Sequence, residues 1–248
     1  MAGKDTTIIS DFFRFPHTPH LAWLGEGIPR DDKVLSPVEA ESFLAYEVIV
    51  EEKLDGANMG ISFSPEGEVR VQNRGQYLQL PMRGQFEKLH GWLRTRVDLL
   101  FDVLGEDLIL FGEWCAARHS IGYERLPDWF VVFDLYDRKS QKFWSTNRRN
   151  NVAAQLDSPV VPRLLHGQIS LKSLKEFVQA QPSAFREGPL EGVVVRRESA
   201  DWLESRAKLV RPDFVQAIAE HWSHRRIEWN KLDPASASGL PHPLPQYR

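Results

Sequence analysis

The sequence predicts an α+β protein in which antiparallel sheets dominate. Segments rich in β-branched and aromatic residues, which are typical of strands, outnumber the segments with helical periodicity. The two kinds do not alternate at the even spacing of a doubly wound parallel sheet. One pair of strand-like segments encloses a Pro-Glu-Gly turn, which favours a hairpin and therefore antiparallel pairing.

The first half of the chain is expected to begin with strands and to end in a long helix. The strand-like segments are Tyr46–Glu52, Asn58–Ser64 and Glu68–Asn73. Pro65–Gly67 would be the turn of a hairpin between the last two. From Met82 to Leu104, apolar residues recur near a 3.6-residue period, which predicts an amphipathic helix with Gly91 as a weak point inside it.

The second half mixes strands and helices. Strand character returns at Leu108–Trp114, Trp129–Tyr136, Leu190–Arg197 and Arg206–Val210. Polar helices are expected at Thr146–Leu156 and Leu171–Gln179, and a last helix opens with Pro212, because proline is favoured in a first turn. The tail 233–248, rich in Pro, Ser and Ala, is expected to be extended or mobile.

Composition excludes several classes of protein. With 42% hydrophobic and 26% charged residues among 248, the chain has the balance of a globular protein. A formal net charge of -3 excludes a histone-like polycation, although a local basic surface is still compatible with nucleic-acid binding. No apolar run approaches the ~20 residues that span a bilayer, and no secretory signal is recognisable. Because the lone Cys115 cannot form an internal disulfide, we expect a cytoplasmic protein without a membrane partner.

Lys53 is the first candidate for chemistry. It opens the tetrapeptide Lys53-Leu54-Asp55-Gly56, where an apolar strand ends and a glycine turn begins. A lysine amine is nucleophilic only when it is deprotonated, and burial or neighbouring positive charge lowers its pKa enough to permit that. Taken alone, the tetrapeptide is equally well explained as an exposed lysine beside an Asp-Gly turn.

Five further motifs follow Lys53 in order. They are Arg74 in QNRG, Phe111–Trp114 (FGEW), Phe133-Asp134 in VVFDLYD, Glu191–Val194 (EGVV) and Lys208 in AKLVRPDF. This order resembles that of the covalent nucleotidyltransferases, the superfamily of ATP-dependent ligases and mRNA-capping enzymes. The stretches EEKLDGAN, FGEW and KLVRPDF, with the early FPHTPHL, are most similar to the ATP-dependent RNA ligase family in its small form, related to the phage-type nick-sealing RNA ligase. The resemblance runs from about Phe15 to the helix after Pro212.

The resemblance implies an adenylation domain, built from antiparallel sheets around a nucleotide cleft, at residues 1–232, followed by the tail 233–248. The implied activity joins 3′-hydroxyl and 5′-phosphate ends of RNA through a covalent lysyl-AMP and an adenylated 5′ end. DNA ligases and capping enzymes normally append an OB-fold after the basic motif. Too few residues follow Val210 for such a five-stranded barrel, so we expect none.

The resemblance assigns the chemistry to a small set of residues. Lys53 would attack the α-phosphorus of ATP, and Lys208 would contact the α-phosphate while its charge helps to keep Lys53 neutral. Glu191 matches a metal-associated carboxylate, and Glu113 is a second candidate metal ligand. Mg²⁺, or Mn²⁺ in its place, is the expected ion, because one or two carboxylates and phosphate oxygens suffice to hold it.

The remaining candidates would bind the nucleotide. Glu113 and Arg74 match family positions around the ribose and the phosphates, and Phe133 would stack on the adenine, a contact worth roughly 1–3 kcal/mol. The rest of the set is Glu51, Glu52, Asp55, Gly56, Asn58 and Arg211. Either of the first two glutamates would orient the adenine, and the asparagine would touch a metal-bound water or a phosphate. Core packing is the alternative explanation of Phe133.

The sequence departs from the family at the basic strand. That strand often carries Lys-x-Lys, but the second position here is Val210, and the next cation is Arg211. Strand alternation would turn Arg211 to the opposite face, unless its long side chain reaches round. The roles of Arg206 and Arg211 are therefore left open.

Basic residues also cluster locally, although the net charge of the chain is negative. The clusters contain Arg138, Lys139, Lys142, Arg148 and Arg149; Arg196 and Arg197; Arg206, Lys208 and Arg211; and His221, Trp222, His224, Arg225 and Arg226 on the last helix. Such patches would neutralise the phosphates of RNA ends or of a nicked duplex, and the tryptophan would stack on a base. The alternative is a surface with interspersed charges. An end-healing enzyme is a further expected partner.

Two other functions are compatible with these motifs. A capping-type guanylyltransferase or a DNA-nick ligase of the same superfamily would use the same nucleophile, and labelling by GTP instead of ATP would identify the first. A degenerate nucleotide- or RNA-binding module would bind its ligand without covalent transfer.

Overall fold

A computed structural model of the chain describes residues 12–26, 33–79, 81–217 and 227–237. The strands are β1 (Val48–Lys53), β2 (Ala57–Phe63), β3 (Val69–Gln72), β4 (Leu108–Trp114), β5 (Phe130–Asp137), β6 (Lys142–Phe143), β7 (Arg163–Gly167), β8 (Gly192–Glu198) and β9 (Leu203–Val210). The helices are α1 (Pro37–Leu44), α2 (Leu89–Arg94), α3 (Val97–Leu104), α4 (Thr146–Gln155), α5 (Leu171–Ala180), α6 (Pro212–Ala217) and α7 (Pro234–Ala237), with a 3₁₀ turn at Gly84–Phe86.

The strands form two antiparallel sheets. Sheet A has the order β7-β1-β8-β9, and sheet B has the order β3-β2-β4-β5-β6. The predicted α+β class with antiparallel sheets is therefore confirmed, and the hairpin around Pro65–Gly67 is present as β2 and β3. Within the described ranges, the strands close no barrel.

Each sheet buries one face in its own hydrophobic core. The core of sheet A includes Val50, Val193 and Leu209 and is covered by α1 and α5. The core of sheet B includes Trp114 and Phe130 and is covered by α2 and α3. The other faces of the two sheets approach each other, so that strand ends and polar side chains from both sheets meet between them.

The register of β1 places Lys53 beside the start of β8. Lys53 pairs with Gly192, and a Cβ built on Gly192 would lie 2.4 Å from the carbonyl oxygen of Leu209. Only glycine allows β9 to approach this closely. The lysine is therefore held at the strand end next to Glu191, which directly precedes Gly192.

The helix predicted over Met82–Leu104 is wrong as one continuous element. It is divided into the 3₁₀ turn, α2 and α3, and the break between the two α-helices falls at Arg96, where φ is -128°. Asp128 fixes the break, since its carboxylate accepts from the indole of Trp92 (2.7 Å) and from Arg96 (3.0 Å). Gly91 lies inside α2 and does not interrupt it. The apolar period continues across the break, so periodicity could not reveal it.

Three described features were not predicted. Helix α1 begins with a capping box in which Ser36 and Glu39 each accept from the other's backbone N–H. Strand β7 is an edge strand of sheet A. The segment around His20 runs beside β9, where Leu21 N donates to Lys208 O (2.7 Å) and Lys208 N donates to Pro19 O (2.8 Å).

The end of the chain is described only in part. Residues 227–237 are described, and they include α7 (Pro234–Ala237), so the expected extended conformation is wrong for the start of the tail. Outside the described residues lie 238–248 and the expected basic cluster of His221, Trp222, His224, Arg225 and Arg226. Among the described helices, none is both long and apolar enough to cross a membrane.

Candidate active site

A cleft of about 480 Å³ lies between the two sheets. Nine of the predicted site residues line it: Glu51, Glu52, Lys53, Gly56, Asn58, Arg74, Glu113, Phe133 and Lys208. Phe15, Thr18, Gln85 and Arg206 also line it and were not assigned from the sequence. The topology thus brings together residues that are far apart in the sequence, such as Lys53 and Lys208, which are separated by 155 positions.

Lys53 forms a close ion pair with Glu191. Its Nζ lies 2.8 Å from Oε1 and 2.7 Å from Oε2 of that carboxylate, and the lysine side chain is 25% exposed. Glu191 is buried and is reached from the cleft through the lysine. The candidate nucleophile therefore lies at the cleft wall and in contact with the candidate metal ligand.

Three carboxylates crowd around this one amine. Burial raises the pKa of Glu113 to about 7 and, likewise, that of Glu191 to about 7, although Lys53 lowers both. Burial alone would lower the pKa of Lys53, but Glu191, Glu113 and Asp55 outweigh it, and the net shift is upward. We call Lys53, Asp55, Glu113 and Glu191 the nucleophile cluster.

That Lys53 is held neutral stays a prediction, because it concerns the state with bound triphosphate. In the ligand-free protein the pKa of Lys53 is shifted upward, because the charge of the surrounding carboxylates outweighs desolvation. Lys208 lowers the pKa of Glu191, and its expected effect on Lys53 stays a prediction. Loss of a proton from Lys53 would therefore be favoured by added positive charge that offsets the carboxylates.

Asp55 and Gly56 fix the turn that follows Lys53. One Asp55 oxygen accepts from the backbone N–H of Ser120 (2.7 Å) and of Ile121 (3.0 Å). The N–H of Gly56 donates to Glu113 (3.0 Å), and a Cβ on Gly56 would lie 2.6 Å from Trp114 O. Asp55 is therefore a structural anchor of the turn and does not line the cleft.

Glu51 and Glu52 are engaged with protein groups. Glu51 accepts from Arg149 Nη2 at 2.6 Å, and both side chains are 1% exposed. Glu52 accepts from Ser183 Oγ (2.6 Å) and from the N–H of Ala184 (2.9 Å). Burial nevertheless raises the pKa of Glu52. Both glutamates lie in the cleft wall, but their carboxylates already have partners there.

A buried ion network forms the floor of the cleft. Its members are Glu51, Asp134 and Glu198 with Arg149, Arg196 and Arg206. Arg196 on β8 binds Asp134 on β5 at 2.8 Å, and Asp134 also pairs with Arg206 on β9. We call this set the floor network. It joins sheet A to sheet B with as many acidic as basic groups.

The surface patches expected around Arg149 and Arg196 are therefore wrong in part. Both arginines are almost completely buried and are committed to the floor network. Lys139 and Lys142 are exposed, and Arg148 stacks on Trp144 with its guanidinium carbon 3.7 Å from the ring centre. Sequence proximity among basic residues did not distinguish an ion-paired core from a basic surface.

The second cation of the basic strand precedes Lys208 instead of following it. Arg206 and Lys208 are two positions apart, share one face of β9 and both line the cleft. Val210 is buried. Arg211 does not reach the cleft, because its guanidinium binds Gln179 O (2.8 Å) and Asp213 (2.8 Å). Strand alternation, applied upstream of Lys208, could have identified Arg206.

Phe133 lines the cleft and is oriented from two sides. Its ring meets that of Phe15 edge-on, with 5.4 Å between ring centres. Its carbonyl oxygen accepts from Arg149 Nη1 (2.6 Å) and from Arg196 Nη1 (3.3 Å) of the floor network. A partly exposed aromatic ring with a fixed backbone is suited to stack on a flat base.

The residues that could hold a metal ion are two carboxylates and one amide. Glu113 and Glu191 compete for a single lysine, and Asn58 Oδ1, which lines the same cleft, is buried without a hydrogen-bond partner. Oxygen donors of this kind fit a hard divalent cation that also takes phosphate oxygens. Within the described ranges, no group of three or more His, Cys, Asp or Glu residues could hold a metal ion unaided.

Comparison with known proteins identifies relatives of this fold. A family model for RNA ligase matches residues 46–210. A comparison with curated proteins finds no match. The structure of Naegleria gruberi RNA ligase with PPi aligns with a TM-score of 0.58 and 21% identity, over 71% of this chain and 52% of that chain.

Two further structures align comparably. An archaeal ATP-dependent RNA ligase gives a TM-score of 0.53 and 21% identity, over 80% of this chain and 48% of that chain. A putative ATP-dependent DNA ligase from Aquifex aeolicus gives a TM-score of 0.53 and 21% identity, over 81% of this chain and 50% of that chain. The chain spans about half the length of these relatives, and at this identity the likeness shows a shared fold. The family model, however, covers more than half of this chain, and on that match the chain belongs to the RNA ligase family.

Proposed function

We propose that the protein is an ATP-dependent RNA ligase that forms a covalent lysyl-AMP on Lys53. The observation that carries this proposal is the position of Lys53, at the wall of a cleft that also contains Phe133, Arg206 and Lys208. The family match supports the class of reaction. A related Naegleria gruberi ligase variant has been solved with ATP and Mn, which supports ATP and a divalent cation as ligands.

The first step transfers adenylate to the protein. Lys53 Nζ, after losing a proton, attacks the α-phosphorus of ATP; a P–N bond forms, the P–O bond to the β-phosphate breaks, and pyrophosphate leaves. Lys208 and Arg206 would neutralise charge that develops on the phosphate oxygens. Phe133 would hold the adenine, and Arg74, which lines the same cleft, would contact ribose or phosphate.

The second and third steps use the adenylate to join two ends. An oxygen of an RNA 5′-phosphate attacks the adenylate phosphorus, the P–N bond breaks, and Lys53 regains a proton. The 3′-hydroxyl of the other end then attacks the 5′-phosphate and displaces AMP. Holding the two ends in line supplies much of the rate of such a displacement.

Glu191 and Glu113, with Asn58, would hold Mg²⁺ or Mn²⁺. A divalent cation there supplies positive charge that offsets the carboxylates around Lys53 and neutralises phosphate oxygens. This fits the ligand-free state, in which Glu113 and Glu191 share one cation and the pKa of each is raised to about 7.

Covalent labelling tests the proposal directly. Wild-type protein incubated with Mg²⁺ and ATP labelled at the α-phosphate should retain AMP through denaturation, and Lys53→Ala should retain none. Lys139→Ala is the matched control, because Lys139 is 77% exposed and pairs with Asp107 on the surface. Label from GTP in preference to ATP would indicate a capping-type enzyme, and nucleotide binding without label under Mg²⁺ or Mn²⁺ would indicate a binding module.

We further propose RNA ends or nicked duplexes as substrates, in the cytoplasm, with an end-healing enzyme supplying 5′-phosphate and 3′-hydroxyl ends. We also propose that residues 1–232 form the adenylation domain. Sealing assays on matched nicked RNA, nicked DNA and hybrid duplexes test the substrate. Preferential sealing of nicked DNA would contradict it.

A further inference from the structure

A segment beyond the family match contacts the loop that leads out of the cleft. Residues 228–233, here the C-terminal strap, run along the loop 115–129 that joins β4 to β5. Asn230 N donates to Ala116 O (2.9 Å), Lys231 N donates to Tyr123 O (2.9 Å), and Leu126 N donates to Lys231 O (3.0 Å). The strap thus adds a short ladder of backbone hydrogen bonds to this loop.

Asn230 is the side chain that ties the strap to the loop. It is 5% exposed, and its whole amide group is used. Oδ1 accepts from the N–H of Tyr123 (2.9 Å), and Nδ2 donates to the carbonyl oxygens of Cys115 (2.8 Å) and Ala117 (3.3 Å). A buried amide with both ends satisfied fixes the relative position of the groups that it joins.

The same loop holds the turn after Lys53. The Tyr123 hydroxyl accepts from the N–H of Asp55 (2.8 Å), and the N–H groups of Ser120 and Ile121 hold the Asp55 carboxylate. Asn230 is therefore two contacts away from Asp55, through Tyr123. None of these groups lines the cleft.

We propose that Asn230 is a positioning residue for the adenylation step, acting through Tyr123 and Asp55 on the placement of Lys53. The inference rests on the proposed function, since it needs an adenylation rate to act upon. A nucleophile displaced by about 1 Å from its line of attack can lose on the order of a hundredfold in rate. Because the hydrogen bonds of Asn230 end on residues 115–117 and on Tyr123, which do not line the cleft, loss of Asn230 should slow the chemistry without weakening ATP binding.

Single-turnover adenylation of full-length Asn230→Ala tests this. The rate constant at saturating ATP should fall on the order of tenfold or more, while the KM for ATP stays near the wild-type value. A merely structural role would lower the fraction of protein that becomes labelled and leave the rate constant of the folded fraction unchanged. Lys231→Ala is the matched control, because its side chain is exposed and its backbone bond to Tyr123 is kept.

A double-mutant cycle tests the path. Tyr123→Phe removes only the hydroxyl that accepts from Asp55, so the double variant should be little slower than the slower single variant. If the rate reductions of the two single variants multiply in the double variant, the proposed path is overturned. A wild-type rate constant in Asn230→Ala would overturn the positioning role itself. If the alanine variant does not fold, Asn230→Asp, which keeps the acceptor for Tyr123, is measured in the same way and with the same criteria. A wild-type protein that never becomes labelled refutes the proposed function instead, which distinguishes the two failures.

Discussion

The nucleophile cluster and the floor network are neighbouring sets of buried charge with opposite balance. In the floor network, three carboxylates face three guanidinium groups, and Glu51 binds Arg149 at 2.6 Å. In the nucleophile cluster, three carboxylates share Lys53, and the pKa values of Glu113 and Glu191 are raised to about 7.

The difference separates a structural role from a chemical one. A network with balanced charges connects the two sheets, and most of its charges are compensated within the protein, although Arg206 also lines the cleft. An acidic cluster with one cation, at the wall of a cleft, gains from added positive charge. The charge balance therefore indicates that a positively charged ligand would affect the nucleophile cluster more than the floor network.

The largest effect is expected for Lys53→Arg. Arginine keeps the positive charge beside Glu191, so the fold should be retained, but it stays protonated and cannot act as the nucleophile. Adenylation should fall by more than about 10³-fold, measured as protein-bound AMP. Retained labelling would show that the nucleophile is elsewhere.

Breaking the floor network should destabilise the fold next most strongly. Arg149→Met leaves the Glu51 carboxylate buried without its partner, which costs about 3–5 kcal/mol in the free energy of unfolding, measured with urea. Combining it with Glu51→Leu should restore part of the loss. A loss below about 1 kcal/mol would show that the network does not hold the sheets together.

Phe133→Ala should weaken ATP binding by roughly 1–3 kcal/mol, because the adenine loses its stacking surface. The KM for ATP should rise while the adenylation rate constant at saturation changes little. Phe101→Ala is the control, since that ring is 43% exposed and lies outside the cleft lining. An unchanged KM would assign Phe133 to core packing.

The smallest effect concerns the pH dependence of stability. Because burial raises the pKa of Glu113 to about 7 from an ordinary 4.5, the folded state keeps a proton that the unfolded state loses first. Stability should therefore fall as the pH rises from 4.5 towards 7, by at most about 1.4 kcal/mol per pH unit for one proton. In chelator-treated protein, Glu113→Gln should flatten this slope and the exposed Glu106→Gln should not. Equal pH slopes in the two variants would contradict the charge imbalance of the nucleophile cluster.

Local sequence pattern predicted the strands well. Leu108–Trp114 matches β4 to the residue, since an apolar run rich in aromatic residues needs no tertiary information to be recognised. The helix over Met82–Leu104 failed because Asp128, far away in the sequence, fixes the break at Arg96. Periodicity carries no signal for such a contact.

The sequence predicted which residues belong to the candidate site better than it predicted their charge and burial. The ordered motifs identified Lys53, Glu191 and Lys208, and the structure places Lys53 and Lys208 in one cleft and the buried Glu191 in contact with Lys53. That Lys53 is charged, and that Arg149 is buried, depends on partners 138 and 98 positions away. Asn230 belongs to none of the sequence motifs, and its contacts with the loop 115–129 are apparent only from the structure.

The floor network also determines which part of the cleft can change shape. Arg149 on α4 and Arg196 on β8 both reach the carbonyl of Phe133 on β5, so the two sheets are fastened at the base of the cleft. Widening by separation of the sheets would expose several buried charges at once. A ligand that needs a wider opening would therefore be accommodated at the rim, where residues 73–75 and Thr18 line the cleft.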